Sequence, residues 1–153
     1  MLKRLAALLT AFLALAASAA GTAIYDESAD AKAQIAAALR AAGGSRQQVL
    51  VVFGANWCGD CRMLDTAFKS GASAALIAAR FKVVKVDVGR FDRNVDVAET
   101  YGVPLKKGIP AVVLLNAEGR PAAATRSGEL ADARKMGDQG IHDFFTRLDA
   151  APK

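Results

Sequence analysis

The sequence predicts an α/β domain, a central mixed β-sheet flanked by helices on both faces. Three observations carry that prediction. Short valine-rich apolar runs at 49–54, 81–88 and 111–115 alternate with segments of helical periodicity. The order of elements is βαβ-like at first and ends in a turn of hairpin character at Asn116, Ala117, Glu118 and Gly119. The length of 153 residues fits one domain with a real core, and ordinary glycine and proline contents argue against wholesale disorder.

Each element has its own reason. Residues 29–42 are alanine-rich, with Ile35 and Leu39 four apart, and read as an amphipathic helix stopped by Gly43, Gly44 and Ser45. The run 49–54 is continuously apolar, as in a central strand buried on both faces. Ala55, Asn56 and Trp57 make the turn into a helix over 58–69, whose inward side is Met63, Leu64, Ala67 and Phe68 and which Gly71 breaks. A second short helix follows at 72–80, then the strand 81–88, a loop at 89–93 and a short helix at 95–101. The third strand is 111–115. After the turn a weak strand is expected at 123–127. Ile141, Phe144, Phe145 and Leu148 recur at helical spacing in a closing helix. There is no internal repeat and no long linker.

The N-terminus reads as a secretory signal over residues 1–20, ahead of one domain at 21–153. Lys3 and Arg4 form a short positive region, 5–16 is apolar and uncharged, and Ala17, Ser18 and Ala19 are small residues suited to cleavage. The apolar stretch falls short of the roughly 20 residues that span a bilayer, and no cysteine lies beside the cleavage site for lipid attachment. The expected location is an exported compartment, most simply a periplasm. The formal charge of +5 includes Lys3 and Arg4 and falls to +3 without them. The other basic residues are interleaved with acids and form no stripe with aromatics, which gives nucleic-acid binding no support.

The chemistry is concentrated in Trp57-Cys58-Gly59-Asp60-Cys61, which holds the only two cysteines of the chain. A strand that delivers Cys-x-x-Cys to the start of a helix is a redox device. The unpaired N–H groups and positive dipole end of the first turn favour a thiolate at Cys58. Cys61, one turn along, can resolve a mixed disulfide formed by Cys58. Structural zinc wants four ligands, whereas two cysteines and a single distant His142 are on offer, so no metal and no cofactor is expected. His142 reads as a surface residue.

Two motifs in order resemble the thioredoxin superfamily. Residues 53–64, with Trp57, Cys58 and Cys61, resemble its W-C-x-x-C helix start. Tyr101-Gly102-Val103, followed by Gly108-Ile109-Pro110 and the strand behind it, resembles its proline loop; Lys85-Val86-Asp87 resembles its central strand. The resemblance runs from about Ala29 to Leu148. It implies a thioredoxin-like fold and a cis bond at Ile109-Pro110, packed against the disulfide and offering Ile109 backbone for strand-like pairing with substrate. It also implies that Trp57 forms part of the partner surface. Three departures stand out. Val52 occupies the position of the family's buried aspartate, which leaves the proton acceptor for the resolving thiol unidentified. Gly59-Asp60 replaces Gly-Pro between the cysteines. Pro104, Leu105, Lys106 and Lys107 lengthen the loop before Gly108.

Asp60 opposes a neighbouring thiolate and raises its pKa, with Arg62 in part compensating; it also suits the first turn of a helix as a solvated acid. Lys85 either supplies a positive field beneath the site or is a strand-end lysine in solvent. The reading is a thiol–disulfide oxidoreductase, of protein-disulfide reductase type, that acts on protein disulfide or dithiol substrates. It is expected to be monomeric and to be reset by a membrane or periplasmic redox partner. Two alternatives use the same pair: a periplasmic Cu(I)-binding protein, since thiolates suit a soft ion, although Met63 and Met136 stand alone; and a redox partner dedicated to one client, as in cytochrome c maturation.

Overall fold

Asp30 starts the first helix: its carboxylate accepts the Ala33 N–H at 3.0 Å, and α1 (Ala31–Ala42) follows. This cap places the start two residues later than periodicity implied. The computed structural model describes residues 22–151, so the signal expected over 1–20 lies outside the described residues. The other elements are β1 (Gln48–Gly54), α2 (Gly59–Ser70), α3 (Ala74–Arg80), β2 (Phe81–Asp87), α4 (Val95–Thr100), β3 (Ala111–Leu115), β4 (Pro121–Ala124) and α5 (Ala133–Asp149). A single 3-10 turn (Leu105–Lys107) occupies the lengthened loop, with Leu105 buried.

The sheet order is β2-β1-β3-β4. β1 and β2 are parallel, joined through α2 and α3, while β3 lies antiparallel to both β1 and β4. β1 is central and buried from Val49 to Gly54, as its unbroken apolar run requires. Its side chains alternate between two cores. Val49, Val51 and Phe53 pack with Ile35 of α1 and Val97 of α4. Leu50 and Val52 pack with Leu64 of α2, Ile77 of α3 and Phe145 of α5. The expected mixed sheet with helices on both faces is therefore the fold, of thioredoxin-like type. Among the described residues no helix is long and apolar enough to cross a membrane.

Two boundaries depart from the sequence reading. The fourth strand is Pro121–Ala124, not 123–127. Asn116 closes the hairpin early, its Oδ1 accepting the N–H groups of Glu118 and Arg120. Pairing then begins at Pro121 opposite Leu115, with a bulge, at an edge where proline is tolerated. The closing helix begins at Ala133, eight residues before Ile141. Gly137 carries φ 67°, ψ 177° and joins a short N-terminal segment to the main helix. With no side chain, Gly137 takes the positive φ of this joint.

Candidate active site around Cys58 and Cys61

β1 ends on Gly54, the turn passes through Trp57, and Cys58 is the N-cap of α2 with extended backbone (φ −82°, ψ 113°). Its Sγ accepts the Cys61 N–H at 3.1 Å, the place a serine or aspartate oxygen usually takes. The same N–H would stabilise a thiolate, in addition to the helix dipole. The two cysteines are joined as a disulfide with Cα atoms 5.2 Å apart. Cys58 is 5% exposed and Cys61 1%, so the first sulfur is the more accessible. Cys58 Sγ lies 3.7 Å from the carbonyl oxygen of Ile109, and the Ile109–Pro110 bond is cis. The structure thus brings Cys58, Cys61, Ile109 and Pro110 together.

Trp57 is 43% exposed, so it is not a core tryptophan. Its Nε1 donates to the Gly89 carbonyl at 2.8 Å. Phe91, also exposed, meets it edge to face at 6.1 Å, and the Arg90 guanidinium sits 5.1 Å from the indole ring. From Phe91 an apolar groove of about 650 Å³ runs past Val95, Val103, Pro104 and Leu105 to Gly108. The lengthened loop forms one of its walls.

The counter-charge of Asp60 differs from the expected one. Arg62 reaches back to the Asn56 carbonyl oxygen instead. Asp60 is paired with Arg134 at the start of α5: Oδ1 accepts the Arg134 backbone N–H at 2.9 Å and Nε–H at 3.2 Å, and Oδ2 accepts from Nη2 at 3.1 Å. Burial pulls the Asp60 pKa up, but the hydrogen bonds and charge of Arg134 outweigh it and hold the carboxyl below its ordinary range. The guanidinium lies over Gly59, where a Cβ would stand 3.1 Å from Nη1.

Behind Cys61 lies a polar group that sequence reasoning missed. Asn56 fastens the N-terminal segment to the active-site turn: its Oδ1 accepts the N–H groups of Ile24 and Tyr25, each at 2.9 Å, and its Nδ2 donates to the Tyr25 carbonyl at 3.0 Å. Tyr25 is thereby buried, 2% exposed. The space where any residue but glycine at 54 would carry its Cβ is filled by the Tyr25 phenol oxygen and, at 2.9 Å, by Cys61 Sγ. Lys85 Nζ lies 5.9 Å from the Tyr25 ring centroid and is ion-paired with Asp65 of α2, which also binds Lys69 at 2.8 Å. Lys85 is therefore not in open solvent; its charge is met by Asp65, with Tyr25 alongside. Burial raises the Asp65 pKa, and the two lysines more than reverse that. Val52 packs among Leu50 and Leu64 and offers no polar atom.

One signal could have found Asp65. It shares the spacing of Cys61, Leu64 and Phe68, the inward side of α2. Tyr25 and Arg134 carry no such sequence signal. His142 is half-buried on α5, and its Nδ1 has no partner among the described residues.

Comparison with known proteins agrees with this geometry. The model of a thioredoxin-like family matches residues 30–117. The crystal structure of a disulphide isomerase from Xylella fastidiosa Temecula1 is 51% identical, covers 84% of this chain and 98% of its own, and superposes with a TM-score of 0.80. A thioredoxin from Griffithsia pacifica is 40% identical over 70 residues, 46% of this chain; the chain spans only 57% of the length of that curated relative.

Proposed function

The chain belongs to the thioredoxin-like family, and from that premise we propose that it is a thiol–disulfide oxidoreductase that reduces protein disulfides through Cys58 and Cys61. The observation that carries this reading is the capped sulfur of Cys58, at the positive end of α2 and beside the Ile109 carbonyl. In the reduced form the Cys58 thiolate attacks a substrate disulfide. One substrate sulfur leaves as a thiolate, and Cys58 holds the other in a mixed disulfide. Cys61, losing its proton, then attacks Cys58 Sγ. The second substrate sulfur departs, and the Cys58–Cys61 bond closes. Two electrons pass from the protein dithiol to the substrate disulfide, and the two protons lost by the cysteines match the two taken up by the substrate thiols. A redox partner must then return two electrons.

Trp57, Phe91 and the groove beside Gly108 offer apolar surface to the chain that flanks the substrate cysteine, and Ile109 and Pro110 offer backbone next to it. The leader pattern of Lys3, Arg4 and residues 5–16 supports a periplasmic location, where the electrons come from a membrane or periplasmic partner.

The test is reduction of insulin with dithiothreitol as electron source. Turnover that requires both cysteines supports the reading, and a rate no higher than that of dithiothreitol alone refutes it. A second reading, disulfide isomerisation, is favoured by the name of the 51%-identical structure. Reactivation of scrambled ribonuclease by the Cys61→Ser variant separates the two, because isomerisation can proceed through Cys58 alone whereas net reduction cannot.

A further inference from the structure

A buried cysteine becomes a nucleophile only if its thiolate is stabilised where water cannot reach. Cys61 is 1% exposed and has Val52, a side chain with no polar atom, in place of the strand acid noted above. The polar side-chain atom that shares the space beside Gly54 with its sulfur comes from the N-terminal segment, 36 positions upstream. Tyr25 Oη and Cys61 Sγ flank the same point beside Gly54, the space a side chain there would fill. Asn56 ties the segment down through three hydrogen bonds, two to the Tyr25 backbone and one to the Ile24 N–H, and the tyrosine is buried, 2% exposed.

We propose that the Tyr25 phenol is the hydrogen-bond donor that stabilises the Cys61 thiolate during resolution of the mixed disulfide, a role that Val52 has no polar atom to fill. The proposal rests on the thiol–disulfide exchange read above and assigns its second step. The phenol donates and does not exchange its proton. The proton that Cys61 loses as its thiolate forms ends on the departing substrate thiolate, which leaves as a thiol. The Cys61–Cys58 bond then forms as the Cys58–substrate bond breaks, so electrons and protons balance without any further reagent.

The surroundings suit a donor. Burial first, then the carboxylates of Asp65 and Asp87, push the phenol well above its ordinary range, so it stays protonated at any working pH. The charged groups packed around the pair are Asp65 with Lys69 and Lys85, and Asp87 with Arg93 at 3.0 Å. Asp26 and Glu27 flank Tyr25 but are exposed. Each acid near the phenol thus has a basic partner. Lys85, 5.9 Å from the ring centroid, keeps the negative charge of Asp65 from opposing that of the thiolate.

Tyr25→Phe removes the donor and keeps the ring. Single-turnover reaction with a model disulfide then separates the steps. Formation of the mixed disulfide at Cys58 should be unchanged, and its resolution should slow by about tenfold or more, the cost of a lost hydrogen bond to a charged group. The pH at which resolution is half-maximal should rise. Resolution at the native rate with an unshifted pH profile overturns the proposal, as does equal slowing of both steps, which marks a structural role. If instead the unaltered protein fails to reduce any disulfide, the underlying reading fails and not this assignment. Should Tyr25→Phe not fold, titration of Cys61 in Cys58→Ser decides. A midpoint at or below the ordinary thiol value of about 8.5 supports the donor; a midpoint well above it, as burial alone dictates, overturns it.

Discussion

Asp60→Asn should make the disulfide more oxidising. The Asp60 carboxylate lies in the first turn of α2, two positions after Cys58, and helix geometry puts it about 7 Å from the sulfur. At an effective dielectric of about 40, between the surface value and water, two like charges at that distance repel by about 1 kcal/mol. Arg134, with its paired hydrogen bonds, supplies an opposing term of its own, which stays in place in the variant. Removing the negative charge should therefore lower the Cys58 pKa by roughly 0.7 unit. The reduced form is stabilised, and the potential should rise by about 20 mV. Arg134→Gln should shift the potential the opposite way, since it uncovers Asp60, and the double variant should lie between the two singles. The measurement is equilibrium with glutathione or dithiothreitol redox buffers, together with thiolate absorbance against pH. A lower potential in Asp60→Asn, or shifts of the same sign in both single variants, would refute the electrostatic reading.

Cys58→Ser should abolish disulfide reduction, while Cys61→Ser should accumulate mixed disulfides visible on a non-reducing gel; full multiple turnover by Cys61→Ser would remove the assigned order of attack. Gly54→Ala places a methyl group against the Tyr25 phenol and Cys61 Sγ and should cost about 1–3 kcal/mol in urea denaturation; a loss under about 0.5 kcal/mol, the size of an ordinary surface change, would mean the two side chains part freely. Asp65 has a folded pKa below its unfolded value because its lysines outweigh burial. Its contribution to stability is therefore complete above the unfolded carboxyl value of about 3.9 and is lost as pH falls through the lower folded one. Asp65→Asn should flatten that acid limb and destabilise the protein at neutral pH, where Lys85 loses its partner; an unchanged stability–pH curve between pH 2 and 7 would show that the pair contributes nothing.

Local chemistry was legible in the sequence, and long-range chemistry was not. The unbroken apolar run of β1 announced a strand buried on both faces, and the spacing of Met63, Leu64, Ala67 and Phe68 announced the inward side of α2, because periodicity is a property of neighbours. The placing of Cys58 at the helix start followed from the strand before it. The edge strand and the start of α5 were misplaced for a related reason. Proline at 121 and glycine at 137 carry local penalties, and only tertiary context decides whether those penalties end an element or are absorbed at an edge or a joint.

The charge balance of the site shows the same limit more sharply. Arg62 is the basic residue next to Asp60 in sequence, yet the partner is Arg134, 74 positions away. Two residues apart on a helix point in different directions, so adjacency in sequence was the wrong criterion; α5 had to be docked against α2 before Arg134 could be seen. The missing strand acid follows the same logic. At position 52 the chain offers only a valine, and that side chain points into the core of α2 and α5. The acid instead stands on the helix, at Asp65, where it meets Lys85, while the polar group on the Gly54 side of Cys61 comes from the N-terminal segment that Asn56 ties down. A requirement of the chemistry, a polar group at a buried sulfur, can be met from any element that folds back on the site. It therefore constrains the assembled structure without constraining any one position of the sequence.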